Sequence, residues 1–192
     1  AGDVIPEVVK IIVDKRPKKT KPYKLPNNCP SCKGEVKYIH DEAVLRCQRS
    51  YNCPDQQKAM INHFVSKNCL DIDGLGEKLV EQLINKNIIS NFSDIFHLSF
   101  NDLILMDRMA QKSVNNILES IKKSKHTDLW RFVHGLGIKN IGQNGSKILA
   151  KNFPQIETMY KLSIDDFIKI DEFGEIMAKS VFEFFNNQKN IN

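Results

Sequence analysis

No run of 18 or more apolar residues occurs in this chain, which excludes a helix that spans a membrane. Charge is not of one sign either, since 28 Lys and Arg face 23 Asp and Glu. With 41% apolar and 27% charged residues, the composition excludes a disordered tail and indicates an ordinary globular protein. The opening residues, Ala1-Gly2-Asp3-Val4-Ile5-Pro6, lack both an initiator Met and the basic-then-apolar layout of a signal peptide. That start reads as a fragment cut from something longer. With no secretion signal, the reducing cytoplasm is the expected compartment, and stable disulfides are not expected there.

Only five cysteines are present, and four lie between positions 29 and 53 in the order Cys29-x2-Cys32, fourteen residues, Cys47-x5-Cys53. Cys29-Pro-Ser-Cys32-Lys-Gly34 has the form of a metal knuckle, in which a tight turn aims two sulfurs at one ion. Four thiolates suit tetrahedral Zn2+ and leave no open position for water or substrate, so the ion would brace structure. Iron–sulfur ligation is the rival reading, although the spacing departs from ferredoxin-type runs. Cys69 stands apart beside Leu70 and Ile72 and is expected to be a small core residue. His40 and His63 could ligate in principle, but four sulfurs already fill the site, which leaves them surface or packing roles.

What precedes and follows this cluster differs in character. Residues 1–13 carry a β-like apolar stretch (Val4, Ile5, Val8, Val9, Ile11, Ile12, Val13), followed by a Pro-broken cationic run from Lys15 to Pro22 that reads as a linker or loop. Residues 1–69 hold 13 Lys and Arg against 7 Asp and Glu, so the overall charge of +5 is concentrated there. A basic excess of this size allows an acidic polymer as partner and equally allows a plain soluble surface. Beyond residue 57 the pattern is helical, starting near Ala59-Met60 and His63-Phe64.

Within the helical region the chain repeats. Gly76, Ala110, Gly142 and Gly174 serve as anchors 34, 32 and 32 residues apart. Apolar residues stand four before each (Ile72, Met106, Ile138, Ile170) and one before each (Leu75, Met109, Ile141, Phe173). Val80, Val114, Ser146 and Ala178 stand four after, and Leu83, Ile117, Leu149 and Val181 seven after, on one helical face. Two units open alike, with Ser99 and Ser163 as N-caps and Asp102 and Asp166 three residues on. Each unit therefore reads as helix, tight hairpin, helix. At the anchor, Gly supplies backbone freedom and lets a ligand approach closely, while the free first-turn amides and positive helix dipole suit a phosphate. The competing reading is a plain helical array in which Gly merely ends helices. The candidate phosphate contacts are the amides around Gly74, Gly76, Gly142 and Gly174, with Lys78 and Lys112 two residues after their anchors and Lys147 and Lys179 five after theirs. For any single Lys, a solvated helix face explains the position equally well.

The order Ala1-Gly-Asp-Val-Ile-Pro6, the four cysteines, His63-Phe-Val-Ser66 and Leu70-Asp-Ile-Asp-Gly-Leu-Gly76 resembles bacterial NAD-dependent DNA ligase along essentially the whole chain. The resemblance implies a mainly α protein. Residues 1–27 would be the end of an OB-fold domain, contributing a short β segment, with the basic linker. Residues 28–57 would be a four-cysteine zinc finger, and 58–192 a helix-hairpin-helix domain of four repeats. It also implies a monomer that grips nicked double-stranded DNA without reading sequence and has no membrane attachment. In that family a lysine takes AMP from NAD, in chemistry that also needs Mg2+, and both would be bound outside this segment. No Lys-x-Asp-Gly adenylation motif occurs here, so the segment alone is expected to be inactive. Two departures stand out. Ala110 replaces the closing Gly of the second hairpin and forfeits an easy positive φ, which weakens the expectation of a phosphate contact there. Glu172 would repel a phosphate at the fourth hairpin, which is then mostly packing.

Two other functions compete. A free-standing zinc and helix-hairpin-helix scaffold of DNA repair would share every feature except the adenylation chemistry. A helix-hairpin-helix glycosylase would need a catalytic Asp after one hairpin, but Asp165 and Asp166 belong to a helix start instead.

Overall fold

A computed structural model of the chain describes residues 9–38 and 44–191. Val4, Ile5, Val8 and His40 lie outside the described residues, so the expectations placed on them go with them.

The cysteine segment contains the two-stranded antiparallel sheet, β1 (Val36–Tyr38) against β2 (Leu45–Cys47), with Val36 opposite Cys47 and Tyr38 opposite Leu45. An isolated bridge pairs Asn28 with Glu35. Residues 9–27 form no strand. A short 3-10 turn at Val13–Lys15 is their regular structure, and Val9, Ile11, Ile12 and Val13 are exposed. The β-like expectation fails over these residues for a simple reason: a strand needs a neighbour for its backbone groups, and no described strand runs beside them.

Helix α1 (Pro54–Val65) begins at Pro54, whose fixed φ suits the first helical position, so it starts several residues before the periodicity becomes visible. It leads through a turn into α2 (Glu77–Asn85). After the short α3 (Phe92–Ile95), α4 (Phe100–Ile104) turns into α5 (Gln111–Ser124), and α6 (Leu129–Gly135) into α7 (Gln143–Asn152). Then come α8 (Ile156–Met159), α9 (Ile164–Ile168) turning into α10 (Glu175–Phe185), and α11 (Gln188–Ile191). Ser99 with Asp102, Ser163 with Asp166 and Asn91 with Asp94 form reciprocal capping boxes, satisfying the first amides of α4, α9 and α3.

One backbone pattern recurs at four turns. The residue before the anchor donates its amide to the carbonyl three residues earlier: Leu75 to Ile72, Met109 to Met106, Ile141 to Ile138 and Phe173 to Ile170, at 3.0–3.4 Å. The anchor carbonyl then accepts from the residue four later at 2.9–3.0 Å, which starts the next helix. Between these bonds, the residue two before the anchor is left-handed: Gly74 at φ 84°, Arg108 at 61°, Asn140 at 62° and Glu172 at 65°. The anchors themselves are extended with negative φ, −81° at Gly76, −117° at Ala110, −85° at Gly142 and −75° at Gly174. Positive φ is therefore required two residues earlier than the repeat implied. Ala110 forfeits nothing in backbone freedom, and the objection raised against the second hairpin falls away.

The residues four and seven after each anchor are buried in all four units, as their helical spacing requires. They feed two apolar clusters. One gathers residues of α1 to α5, including Phe64, Leu75, Leu83, Leu103 and Ile117, and the other residues of α6 to α10, including Val133, Leu149, Phe167 and Val181. Leu136, at the end of α6, packs against both.

Candidate metal centre and nucleic-acid interface

The four sulfurs are gathered from three pieces of backbone. Cys29 and Cys32 sit in a knuckle closed by the Cys29 amide on the Gly34 carbonyl (2.8 Å) and the Lys33 amide on the Cys29 carbonyl (2.9 Å), with Lys33 left-handed at φ 58°. The Gly34 amide points at the Cys32 sulfur at 3.4 Å. Cys47 ends β2, and Cys53 is the N-cap of α1. A side chain at Gly34 would stand 2.7 Å from Arg49 Cδ, so the exposed Arg49 side chain, which lies across the knuckle, would have to shift to admit one.

The Sγ atoms of Cys29 and Cys53 are 3.9 Å apart, those of Cys32 and Cys47 are 3.4 Å apart, and all four lie within 4.8 Å of one another. Sulfurs at about 2.3 Å from one ion on tetrahedral corners would be about 3.8 Å apart, so this set could hold a metal such as zinc. The electrostatics point the same way. Amides of Cys32 and Ser31 hold Cys29 down to about 7. The Arg49 amide lowers Cys47, yet burial and the Cys32, Cys29 and Cys53 sulfurs outweigh it and push Cys47 up to about 12. Four thiolates this close do not all form without a cation to balance them.

The second candidate site is built on the helices that leave the four turns. Unlike α3, α4 and α9, helices α2, α5, α7 and α10 have no side-chain cap. Their first-turn amides are left for an acceptor from outside the chain, at the positive end of the helix dipole. A Cβ built at Gly76, Gly142 or Gly174 meets no atom within 4 Å. At these three places neither conformation nor packing requires Gly. What its absence of a side chain provides is bare backbone facing solvent. Gly74 differs, since its φ of 84° and a distance of 2.7 Å from its would-be Cβ to Ile117 Cγ1 make it a turn residue. It shapes the first hairpin.

Lys78, Lys112, Lys147 and Lys179 are all exposed in the first or second turn after their anchors. Lys147 lies over the Trp130 ring at 4.9 Å, and Lys179 pairs with Glu183 at 3.9 Å. Glu77 opens α2 and Glu175 opens α10, whereas α5 and α7 have no acid in the first turn. Glu77 is partly neutralised by Lys58 at 3.1 Å. The second and third hairpins are thus the more favourable anion sites. Arg108 was not among the sequence-based contacts, yet it occupies the left-handed corner of the second hairpin and is exposed there. The signal was the position two before each anchor, where the repeat carries Gly, Arg, Asn and Glu. Asn140, at the same corner of the third hairpin, donates from Nδ2 to Ser180 Oγ at 2.9 Å and ties the third unit to the fourth.

Helix starts of this kind are how proteins hold phosphates, and with a four-cysteine cluster they fit a DNA-binding domain. The match to known proteins is specific in kind: residues 131–192, from α6 to the end of the chain, correspond to the helix-hairpin-helix motif. No helix among the described residues is long and apolar enough to cross a membrane.

Proposed function

We propose that this chain is the DNA-gripping portion of a bacterial NAD-dependent DNA ligase, acting as a monomer on nicked duplex. The carrying observation is the row of uncapped helix starts whose Gly76, Gly142 and Gly174 present bare backbone with open space above it. In this reading all four turns are helix-hairpin-helix units. Amides at each anchor take a backbone phosphate, and Lys78, Lys112, Lys147, Lys179 and Arg108 add charge around them. Such contacts carry no sequence information, which suits an enzyme that must act at any nick.

Cys29, Cys32, Cys47 and Cys53 would hold a structural Zn2+ that joins the segment before residue 28 to α1. The exposed Val9, Ile11, Ile12 and Val13 support packing of that first segment against another domain, as expected at the end of an OB fold. Adenylation with NAD and Mg2+ falls to a Lys-x-Asp-Gly domain of the parent enzyme, in the cytoplasm.

Joining this chain to such a catalytic domain tests the proposal. Sealing of a pre-adenylated nick should rise by about tenfold or more over the catalytic domain alone, because the grip makes the reaction effectively unimolecular. Duplex binding without any rise in sealing would sink the ligase reading in favour of a repair scaffold, and no duplex binding would sink both.

A further inference from the structure

A second group of metal-ligating side chains lies away from the four cysteines. His63 near the end of α1, Cys69 in the following turn and His134 in α6 bring their donor atoms within 4.8 Å of one another, although His63 and His134 are 71 residues apart in sequence. His63 Nε2 stands 3.7 Å from Cys69 Sγ. The two imidazoles meet edge to face, with centroids 5.0 Å apart. His134 Nδ1 is buried without a hydrogen-bond partner, the one such side-chain atom among the described residues. Its neighbours explain the close approach. A Cβ at Gly135 would come within 3.1 Å of Leu70 and Phe64 and 3.3 Å of Cys69, so Gly lets α6 settle onto the turn that carries Cys69. Arg131 secures the same turn by donating to the Cys69 and Lys67 carbonyls.

We infer that His63, Cys69 and His134 form a second, three-ligand site for Zn2+ or a similar borderline divalent ion, strapping α1 to α6. A nitrogen at about 2.05 Å and a sulfur at about 2.3 Å on a tetrahedral ion are about 3.6 Å apart, close to the His63–Cys69 separation. Two imidazoles and one thiolate are a donor set that selects zinc over the hard cations. Three protein ligands leave a fourth position for water, beside two partly buried histidines and the buried Cys69. Binding displaces the Cys69 thiol proton to solvent. It also removes the contact of His63 Nε2 with the His134 carbonyl, now at 2.8 Å. That carbonyl is not orphaned, because it also accepts from the Gly137 amide at 3.1 Å. An open fourth position makes this ion more exchangeable than one held by four cysteines.

The test is metal content of the whole chain after saturation with Zn2+ and removal of loose ion. The parent should retain one equivalent more than Cys69→Ala and one more than His134→Gln, whatever the four-cysteine site retains. Equal content in parent and both variants overturns the site. Titration of the parent followed by imidazole 15N resonances supplies a readout that needs no variant. Movement of the His63 and His134 ring nitrogens with added Zn2+ supports the strap. Resonances that stay fixed to saturation overturn it even if a variant fails to fold.

Discussion

Gly142→Val puts the hairpin interface to a severe test because the structure separates its effect on folding from its effect on binding. At φ −85° and ψ −172° the residue is in the extended region that a β-branched side chain readily adopts, and no atom lies within 4 Å of the new Cβ. The remaining folding cost is the poorer N-cap quality of Val relative to Gly, about 1 kcal/mol. The isopropyl group, however, fills the space a phosphate oxygen must enter to reach the first amides of α7. Losing hydrogen bonds to a charged group there costs about 2–3 kcal/mol, or about 30- to 150-fold in Kd. The substitution removes no cation, so the slope of log K against log salt, set by the Lys and Arg contacts, should stay about the same while the affinity falls. Fluorescence anisotropy on a nicked duplex at several salt concentrations, beside a thermal melt, reads both quantities. Gly145→Ala is the control. Its Cβ would point into the packing, where only the movable end of Met177 (Cε at 2.9 Å) must shift, and not toward the first-turn amides, so the DNA affinity should hold. A Gly142→Val protein that folds and binds within about twofold of the parent refutes the reasoning.

Other expectations follow from the same geometry. Chelation, or Cys47→Ser, should abolish amide protection around residues 28–53 while far-UV helical signal persists. Only Cys29, Gly34 and Cys53 are buried among the described residues of that stretch, so a bound ion would have to supply about 10 kcal/mol that no apolar core replaces; protection that survives chelation refutes a structural metal. Gly74→Ala should destabilise by about 1–3 kcal/mol through its left-handed φ and the clash with Ile117, read as a lowered urea midpoint, and a neutral result would deny the turn its tension. The Ser163 hydroxyl and amide, with Lys169, hold Asp166 down to about 2 from its ordinary 3.8. A depressed carboxylate stabilises the fold above its unfolded pKa and stops doing so as pH falls through the folded one. The Tm advantage of the parent over Asp166→Asn should therefore shrink between about pH 4 and pH 2, and a constant gap would show that the capping charge is idle.

Much of this was legible because periodicity and spacing are local. The buried residues four and seven after each anchor, and the capping serines Ser99 and Ser163, follow from 3.6-residue geometry alone. The four cysteines were legible for the same reason, since a ligand set confined to 25 residues needs little tertiary information. Where the left-handed residue falls was not legible. Gly is the usual marker of positive φ, but here Arg108, Asn140 and Glu172 adopt it under the constraint of two flanking hydrogen bonds, while three glycines serve the surface instead. Val9, Ile11, Ile12 and Val13 carried a strand signal that only a partner could realise. The approach of His134 to His63 and Cys69 was invisible because it depends on α6 crossing the first hairpin, a tertiary fact with no local signature.

Cys53 closes the thiolate cluster and, in the next residue, α1 begins; twelve residues on, the chain turns into the first hairpin. Helix α1 is therefore a stiff lever about 18 Å long with its pivot at the four-cysteine cluster. Tilting the Cys53 sulfur by about 10° about the ion would swing the far end by about 3 Å, more than the distance window of a hydrogen bond to phosphate allows. With an ion bound there, the aim of the first hairpin would be only as good as the angular rigidity of the coordination sphere. A saturated tetrahedral shell of four short bonds would supply that rigidity, and a softer or partly open one would blur the register of everything downstream.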